Sequence, residues 1–295
     1  MDSSPTLDLS AAISRAGLSA HADAITRLAR PCVRIGREQV PTEDLTPQDS
    51  FFGGAVAFLP PGAEWPMRGQ WALEPVASIL LSQASPNDAS GRLPRSGRVT
   101  FWYDQQESPW GFDPADRAGF RVTYIPDEST PLERCAAPAP FCEWRTDEDA
   151  PPACRLSFSR GVTLPHTSWA DLPPEQQAVV SLDGYDDLLT LIGQTPMPAH
   201  RLLGYPNLVQ SPMEDECQLA SNGINCGGSE KIDEERAKQL ESGIPDWMLL
   251  LQLDTDEDDG PGWCWGDSGL LYFWIRQQDL ARASFDNCWQ VLQCY

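Results

Sequence analysis

The chain has 295 residues, of which 41% are hydrophobic, so it can bury a large core, and its 27 prolines and 22 glycines favour loops and short elements over long helices. Its 43 acidic residues against 21 basic ones give a formal net charge of −22, which argues against nucleic acid and anionic membranes as partners. No apolar run is long enough to span a bilayer and no secretory signal is visible, so we expect a cytoplasmic protein.

Hydrophobic periodicity predicts strands separated by helices and loops. Residues 1–30 are predicted to be a helical lead-in, because apolar residues recur at helical spacing from 8 to 30. Apolar and alternating runs predict strands at 32–36, 75–83, 97–104, 118–126, 154–159, 246–254, 269–275 and 288–294. Further helices are predicted at 173–193 (in two pieces), 229–243 and 277–285. Residues 127–154 have no clear period and are predicted to form a long loop.

Two parts of the sequence repeat one order of elements: an apolar strand that closes on glutamine, a turn-rich connection, then Ser-Gly and an aromatic strand. In the first part SILLSQ (78–83) leads to SGRVTFWY (96–103). In the second part MLLLQ (248–252) leads to SGLLYFWI (268–275). Each copy supplies the strand–turn–strand order that builds a sheet, so the repetition predicts an internal duplication.

The sequence therefore predicts an α+β fold with a mixed or antiparallel β core, internal duplication and peripheral helices. We expect a single domain over residues 1–295, with pseudo-repeats at about 31–126 and 155–295. The segments FFGGAVAFLP (51–60) and RLLGYPNLVQ (201–210) are weaker candidates for matching lead-ins to the two repeats.

Patterns that bind metals or activate nucleophiles are weak here. The acidic run DTDEDDG (254–260) fails the EF-hand register, because Asp259 stands where the glycine belongs and Trp265 where the final glutamate belongs. The nine cysteines form no CxxC pair, and no G-x-S-x-G elbow is present. The histidines have unrelated neighbours: His21, His166 and His200. We predict no metal, no cofactor and no catalytic residue, and keep a calcium site of another pattern as an open alternative.

Two acidic segments and two tryptophans are the candidate partner-binding residues. Exposed carboxylates attract a basic partner, and aromatic residues that precede a core strand can anchor an interface. The candidates are Glu214, Asp215, Glu216, Asp256, Glu257, Asp258, Asp259, Trp263 and Trp265. The acids would otherwise serve only as a solvated surface that keeps the protein soluble.

A second set of polar residues could line a pocket, because amides and carboxylates among aromatic residues are typical of sites for polar ligands. This set comprises Gln210, Gln218, Asn222, Asp254 and Asp267. The competing interpretation is that these side chains bond to backbone groups at turns.

Several long motifs carry a family resemblance: GRVTFWYD, PWGFDPADRAGFRVTYIP, HRLLGYPNLVQ, MEDECQLASNGINCG, DWMLLLQLDTD, WGDSGLLYFWIRQQDL and FDNCWQVLQCY. In these motifs the chain closely resembles the YwqG-like family, a bacterial domain of unknown function. The resemblance implies a compact α+β domain with a duplicated β core and supplies no catalytic residue. Some relatives resemble immunity proteins, which neutralise a toxin by binding it.

We therefore predict a non-enzymatic cytoplasmic binding protein, an immunity-type inhibitor that binds and neutralises a basic bacterial toxin. Attraction between the acidic surface and a basic partner would raise the rate of association. The alternative is a small-ligand-binding or enzymatic domain with a polar and aromatic pocket in the C-terminal half.

Overall fold

The computed structural model describes residues 8–143, 151–166, 172–195, 197–227 and 233–295. The strands within these ranges are β1 (Arg30–Val40), β2 (Phe51–Phe52), β3 (Val56–Leu59), β4 (Met67–Arg68), β5 (Trp71–Ala72), β6 (Glu74–Leu80), β7 (Arg98–Tyr103), β8 (Phe120–Ile125), β9 (Glu133–Ala136), β10 (Ala153–Thr163), β11 (Arg201–Leu202), β12 (Trp247–Asp254), β13 (Leu270–Arg276) and β14 (Trp289–Gln293). The α-helices are α1 (Leu9–Arg15), α2 (Ala22–Leu28), α3 (Leu81–Ala84), α4 (Pro174–Val180), α5 (Tyr185–Leu191), α6 (Glu214–Ala220), α7 (Glu234–Leu240) and α8 (Gln277–Ala281).

Ten of these strands form one sheet whose strand order is symmetric. The order is β14-β13-β12-β11-β1-β10-β2-β6-β7-β8, and every neighbouring pair is antiparallel. From the centre outwards on either side, the sheet has a strand of 11 residues, a strand of 2 residues and a three-stranded meander. The predicted α+β class with an antiparallel core is confirmed, and its duplication takes the form of a pseudo-two-fold strand order.

Strand register shows the duplication position by position. Phe101 of β7 pairs with Ala77, and Phe273 of β13, its equivalent in the repeated motif, pairs with Leu251. Just before each of these pairs the register shifts by one residue, which leaves one extra residue in β6 and one in β12. A bulge bends and twists its strand, so matched bulges give the two meanders the same curvature.

The short strands β2 and β11 occupy equivalent places, because each pairs with the first strand of a meander. The two residues that follow have positive φ in both halves, with 63° at Gly53 and 79° at Gly54, and 61° at Leu203 and 81° at Gly204. Positive φ is costly for a residue with a Cβ, so Leu203 keeps a conformation that glycine supplies in the first half. The weaker of the two sequence matches, between the lead-ins, is thereby confirmed for residues 51–54 and 201–204, whereas β3 has no counterpart strand in the described residues 205–210.

The two long strands are exchanged between the halves. β1 precedes the first meander in sequence but pairs with β11 of the second half, while β10 pairs with β2 of the first half. β1 and β10 also pair with each other over all 11 residues, and Gly36 lies opposite Ser157. Val33 and Cys154 pair with equivalent residues of β11 and β2 and each lie three residues before that central pair. The pseudo-two-fold axis therefore passes between Gly36 and Ser157.

The two meanders face each other, and the aromatic strands fill the space between them. Phe101 and Phe273 meet edge to face with ring centroids 5.0 Å apart. Farther along the same interface, Phe120 packs on Trp289 at 5.3 Å. Edge-to-face pairs at such distances stabilise a core beyond the area that they bury. The main core therefore lies between the two repeats, and the equivalent residues Phe101 and Phe273 contact each other within it.

The N-terminal segment is helical but not one helix. α1 ends at Arg15, Gly17 follows with φ of 76°, and α2 ends at Leu28 before β1 begins at Arg30. Residues 1–7 of the predicted lead-in lie outside the described ranges. Together with α4 and α5, these helices bury a second, smaller apolar cluster that includes Ile13, Ile25 and Leu188.

Three predictions about elements need correction. Neither glutamine ends its strand as predicted: Gln83 lies in α3, and Gln252 lies inside β12, where it pairs with Tyr272. The predicted loop at 127–154 contains β9, which pairs with β3, and its end belongs to β10. The predicted helix at 229–243 is observed from Glu234, and its first four residues lie outside the described ranges. Within those ranges, no helix is long and apolar enough to cross a membrane.

Gly204 and Gly62 form a matched pair for testing the packing at the pseudo-symmetric turn. Their φ angles are 81° and 79°, but a Cβ on Gly204 would lie 2.5 Å from Thr163 Oγ1, whereas a Cβ on Gly62 would meet nothing within 4 Å. We expect Gly204→Ala to lower the free energy of unfolding by about 2 kcal/mol more than Gly62→Ala, which suffers the backbone penalty alone. Urea denaturation of both variants measures the difference, and equal losses would contradict the tight packing.

Candidate functional site

A buried polar network lies where β12 ends and the acidic loop begins. Arg37 of β1 donates two hydrogen bonds to the carboxylate of Asp256, from Nε to Oδ2 at 2.5 Å and from Nη2 to Oδ1 at 2.6 Å. His200 Nε2 lies 3.0 Å from the same Oδ2 atom. We call Arg37, His200 and Asp256 the loop anchor. His200 and Asp256 are only 3% and 4% exposed, so the anchor is sealed from water on most sides.

The tautomer of His200 follows from its hydrogen bonds. The backbone N–H of Asp254 donates to Nδ1 over 3.1 Å, so Nδ1 is an acceptor and the proton of the neutral ring lies on Nε2. Nε2–H then donates to Asp256. In the first half of the molecule, Ser50 occupies the position equivalent to His200, and its Oγ accepts the backbone N–H of Leu80 over 2.9 Å. The second half therefore carries an ionisable side chain where the first half carries a neutral one.

The loop anchor fixes the base of the acidic loop. Burial opposes ionisation of Asp256, but the hydrogen bonds from Arg37 and His200 outweigh it and lower the pKa of Asp256 to about 2. The backbone of Asp256 also exchanges hydrogen bonds with Trp263 at 2.8 and 3.2 Å, which closes the loop like a short hairpin. A Cβ on Gly260 would lie 2.0 Å from the Asp256 carboxylate, so glycine is needed there.

The three acids at the end of this loop are exposed, and we call them the acidic tip: Glu257, Asp258 and Asp259. None of them forms an ion pair with a described residue. Asp259 lies close enough to Arg37 to act on it electrostatically. Asp256 differs from the tip, because it is buried and serves the anchor rather than the surface. The expectation that Asp256 is available to a partner is therefore wrong.

Trp263 and Trp265 are not on the surface. They are 1% and 2% exposed and pack on each other with ring centroids 5.2 Å apart. Trp263 also contacts Phe52, and Trp265 contacts Tyr103, so both rings belong to the core between the meanders. The prediction that these tryptophans stand at an exposed surface is wrong, because the loop folds back over the sheet and buries them.

The acids of α6 form a second, separate patch. Asp215 is exposed, while Glu214 and Glu216 are partly buried. Burial, followed by repulsion from Asp215 and Asp116, raises the pKa of Glu216 to about 7. Gln218 of α6 accepts a hydrogen bond from Trp247 at the start of β12, whereas the loop anchor lies just after the end of β12. The structure therefore does not bring the two acidic segments together.

The candidate pocket residues point to different parts of the fold. Gln210 donates to the backbone oxygen of Cys294 at 2.8 Å. Asp267 is exposed, and its backbone oxygen accepts the N–H of Tyr295. Gln218 bonds to Leu240 and to the indole of Trp247, at the first residue of β12.

Asn222 and Asp254, the remaining members of the set, are also engaged inside the fold. Asn222 donates to the backbone oxygen of Gln218 at 2.7 Å. Asp254 is the last residue of β12 and accepts the backbone N–H of Ala199 at 2.8 Å. Its Oδ1 atom is buried without a hydrogen-bond partner, and burial raises its pKa. The five residues lie at opposite ends of β12 and do not share a pocket.

Burial makes several thiols of the described residues unreactive. Burial raises the pKa of Cys154 and of Cys226 to about 11 and raises that of Cys32 as well, so these thiols stay protonated at neutral pH. No group of three or more His, Cys, Asp or Glu side chains in the described residues is placed to share a metal ion. Both ring nitrogens of His200 are engaged within the fold.

Comparison with known families gives one match. A family model described as "Domain of unknown function (DUF1963)" matches residues 50–294. The chain belongs to the DUF1963 family. No curated protein matches the chain. Because the family description assigns no activity, the function has to be argued from the geometry of this molecule.

The DUF1963 match begins just before β2, so β1 and its Arg37 lie outside the matched residues. Sequence reasoning missed Arg37, because it lies 219 residues from Asp256 and nothing local to β1 links the two. The neighbours of His200 in sequence offer it no partner, so its local context does not mark it as part of a site. The repeat offered one signal, because aligning the lead-ins places His200 opposite Ser50 and so marks the position where the halves differ.

Asp256→Asn tests the loop anchor. The amide cannot neutralise Arg37, so we expect the free energy of unfolding at pH 7 to fall by about 3 kcal/mol, whereas Asp258→Asn at the exposed tip should change it by less than about 0.5 kcal/mol. The folded-state pKa of Asp256 is below its ordinary value of 3.8. The stabilisation is therefore present above about pH 4 and is lost as the pH falls towards 2, so the variant should lack this part of the acid dependence. Urea denaturation at several pH values measures both effects.

Glu216→Gln tests the opposite case, a carboxyl group whose pKa the fold raises. Its pKa of about 7 lies above the ordinary value of 4.5, so the folded state loses stability as the pH rises from about 4.5 to 7. The variant removes that loss, and we expect it to be more stable than the parent by up to about 3 kcal/mol at pH 8 and by less than about 1 kcal/mol at pH 5. Thermal or urea unfolding at the two pH values checks this, and a pH-independent difference would contradict the assigned pKa.

Proposed function

We propose that this DUF1963 protein is a non-enzymatic binding protein that holds a basic partner protein on its acidic tip. The observation that carries the proposal is that three exposed carboxylates lie on a loop whose base is fixed by an ion pair between buried Asp256 and half-buried Arg37. Glu257, Asp258 and Asp259 follow directly on Asp256, which Arg37 and His200 hold.

Fixing the loop matters for affinity. A flexible acidic loop loses conformational freedom on binding, whereas a loop ordered beforehand does not bear that cost again. The Gln39 side chain adds to the order of the loop, because its amide donates to the backbone oxygen of Gly260 over 2.7 Å. The tip can therefore present its carboxylates in a defined arrangement to arginine or lysine side chains.

The charge of the whole molecule favours a basic partner. A net charge of −22 draws a cationic protein towards the surface and speeds its association, most strongly at low ionic strength. The α6 patch attracts less, because Glu216, with a pKa of about 7, carries only about half a charge at neutral pH. The acidic tip is accordingly the primary contact in this proposal, and Glu214, Asp215 and Glu216 form a secondary one.

The chemistry of the described residues supports binding rather than catalysis. The buried thiols with raised pKa values are poor nucleophiles, and the His200 ring is committed to Asp254 and Asp256. The specific form that we propose is an immunity-type inhibitor of a basic toxin. It is supported by the acidic surface and by the resemblance of the sequence motifs to a family with immunity-like members.

A charge-matched comparison tests the acidic tip. One variant carries Glu257→Gln, Asp258→Asn and Asp259→Asn, and the control carries Glu64→Gln, Glu107→Gln and Glu241→Gln at exposed sites elsewhere. Each is immobilised and used to capture proteins from the cells that produce this chain, at 50 and 500 mM salt. We expect the parent and the control to capture a basic protein at low salt. The tip variant should capture at least about ten-fold less of that protein.

The association rate of that partner with the purified proteins, measured against ionic strength, completes the test. It should fall as salt rises for the parent and the control, and it should be lower and flatter for the tip variant. A partner that binds the tip variant as tightly as the parent overturns the proposed surface. Capture of acidic or neutral proteins alone overturns the proposed class of partner.

A further inference from the structure

Two adjoining cavities lie at the end of the sheet opposite the acidic tip. One has a volume of about 190 Å³ and the other of about 530 Å³, and Arg92, Met248 and Gln277 line both. Together they form one groove between the start of β12 and the loop before β7, with Arg30 at one end and Arg95 at the other. We call this the arginine groove.

The positive charge of the groove is unexpected on so acidic a molecule. Arg30, Arg92 and Arg95 are exposed, and none of them forms an ion pair with a carboxylate among the described residues. Glu214 is near enough to Arg30 to act on it electrostatically but does not bond to it. With 43 acids in the chain, three neighbouring arginines that line a cavity without a bonded carboxylate leave charge available for a ligand.

The fold holds the side chain of Arg30 and the backbone of the loop that carries Arg92. The guanidinium of Arg30 stacks on the ring of Tyr205, 3.9 Å from its centroid. The carboxylate of Asp88 accepts the backbone N–H groups of Ser90, Arg92 and Leu93 at 2.8, 2.7 and 2.9 Å, which fixes the loop that carries Arg92. The stack on Tyr205 and the loop bonded to Asp88 thus fix two sides of the groove.

The contacts of Arg92 leave most of its donors free. Its Nη1 atom lies 3.4 Å from Gln277 Oε1 and 3.4 Å from the sulfur of Met248, which are long and weak contacts. A guanidinium offers five N–H donors in a planar fork that suits carboxylate and phosphate oxygens. An oxyanion in the groove would therefore find donors that the protein has not used.

Beside the arginines, Ser90 and Gln277, the walls of the groove are largely apolar. The indole of Trp247 and the side chain of Met248 line the smaller cavity, and Leu280 and Ala281 line the larger one. A free inorganic ion would leave these surfaces in contact with water, whereas an apolar group bound beside the anion would cover them. The lining selects a ligand with one charged end and one apolar body.

We propose that the arginine groove binds a small organic anion, in which a phosphate or carboxylate contacts Arg92 and Arg30 and an apolar group lies against Met248 and Leu280. The site is independent of the proposed acidic tip, since it lies at the start of β12 and the tip follows its end. The protein would then hold a metabolite-sized anion as well as a basic partner.

Calorimetric titration with 1-naphthyl phosphate, 2-naphthoate and inorganic phosphate tests the groove. We expect saturable one-to-one binding of at least one naphthyl probe, and the tighter of the two identifies the preferred oxyanion. Inorganic phosphate should bind at least about ten-fold more weakly, because it covers no apolar wall. Equal binding of inorganic phosphate, or no saturable binding of either naphthyl probe at millimolar concentration, overturns the proposal.

Variants of the lining residues test whether the probe binds in the arginine groove. Arg92→Gln and Arg30→Gln should each weaken the better probe at least about five-fold, while Arg27→Gln, an exposed arginine outside the groove, should leave it unchanged. Ala281→Glu adds a carboxylate at the apolar wall of a folded surface helix and should abolish binding without changing the melting temperature. The acidic-tip variant should bind the probe like the parent. Equal affinity of Arg92→Gln, Ala281→Glu and the parent would place the probe elsewhere.

Discussion

The pairing of β1 with β10 is the constraint on which the rest of the structure depends. These two strands pair over 11 residues at the centre of the sheet, and each also pairs with the short strand of the opposite half. Each half therefore supplies the central strand of the other, and neither meander can be positioned without both. The matched bulges in β6 and β12 then bend the two meanders so that Phe101 and Phe273 meet across the pseudo-axis.

A duplicated frame allows one half to change while the other preserves the fold. Ser50 and His200 accept equivalent backbone N–H groups, so either side chain satisfies the frame. Unlike Ser50, His200 has a second polar atom, Nε2, which bonds to Asp256 and connects the frame to the acidic loop. The loop anchor thus adds a surface feature to the second half without disturbing the hydrogen bonds that both halves share.

Local patterns predicted the elements and the duplication, but not the contacts between distant segments. The aromatic strands and the lead-ins were identified because a repeat preserves side-chain alternation and turn glycines such as Gly54 and Gly204. The strand ends were misaligned because an apolar run such as SILLSQ does not show where β6 stops and α3 begins. The burial of Trp263 and the Arg37–Asp256 pair depend on how the sheet folds over, which no local window contains.

Net charge is a poor guide to local charge in this molecule. β1 and β12 run in the same direction, so the groove beside Arg30 and Trp247 lies at their starts and the acidic tip at their ends. Eight residues of strand separate the two, which corresponds to roughly 25 Å. Charges are screened beyond about 8 Å at physiological ionic strength, so the tip does not cancel the field of the arginines. A protein of net charge −22 can therefore offer an anionic surface to one ligand and a cationic groove to another.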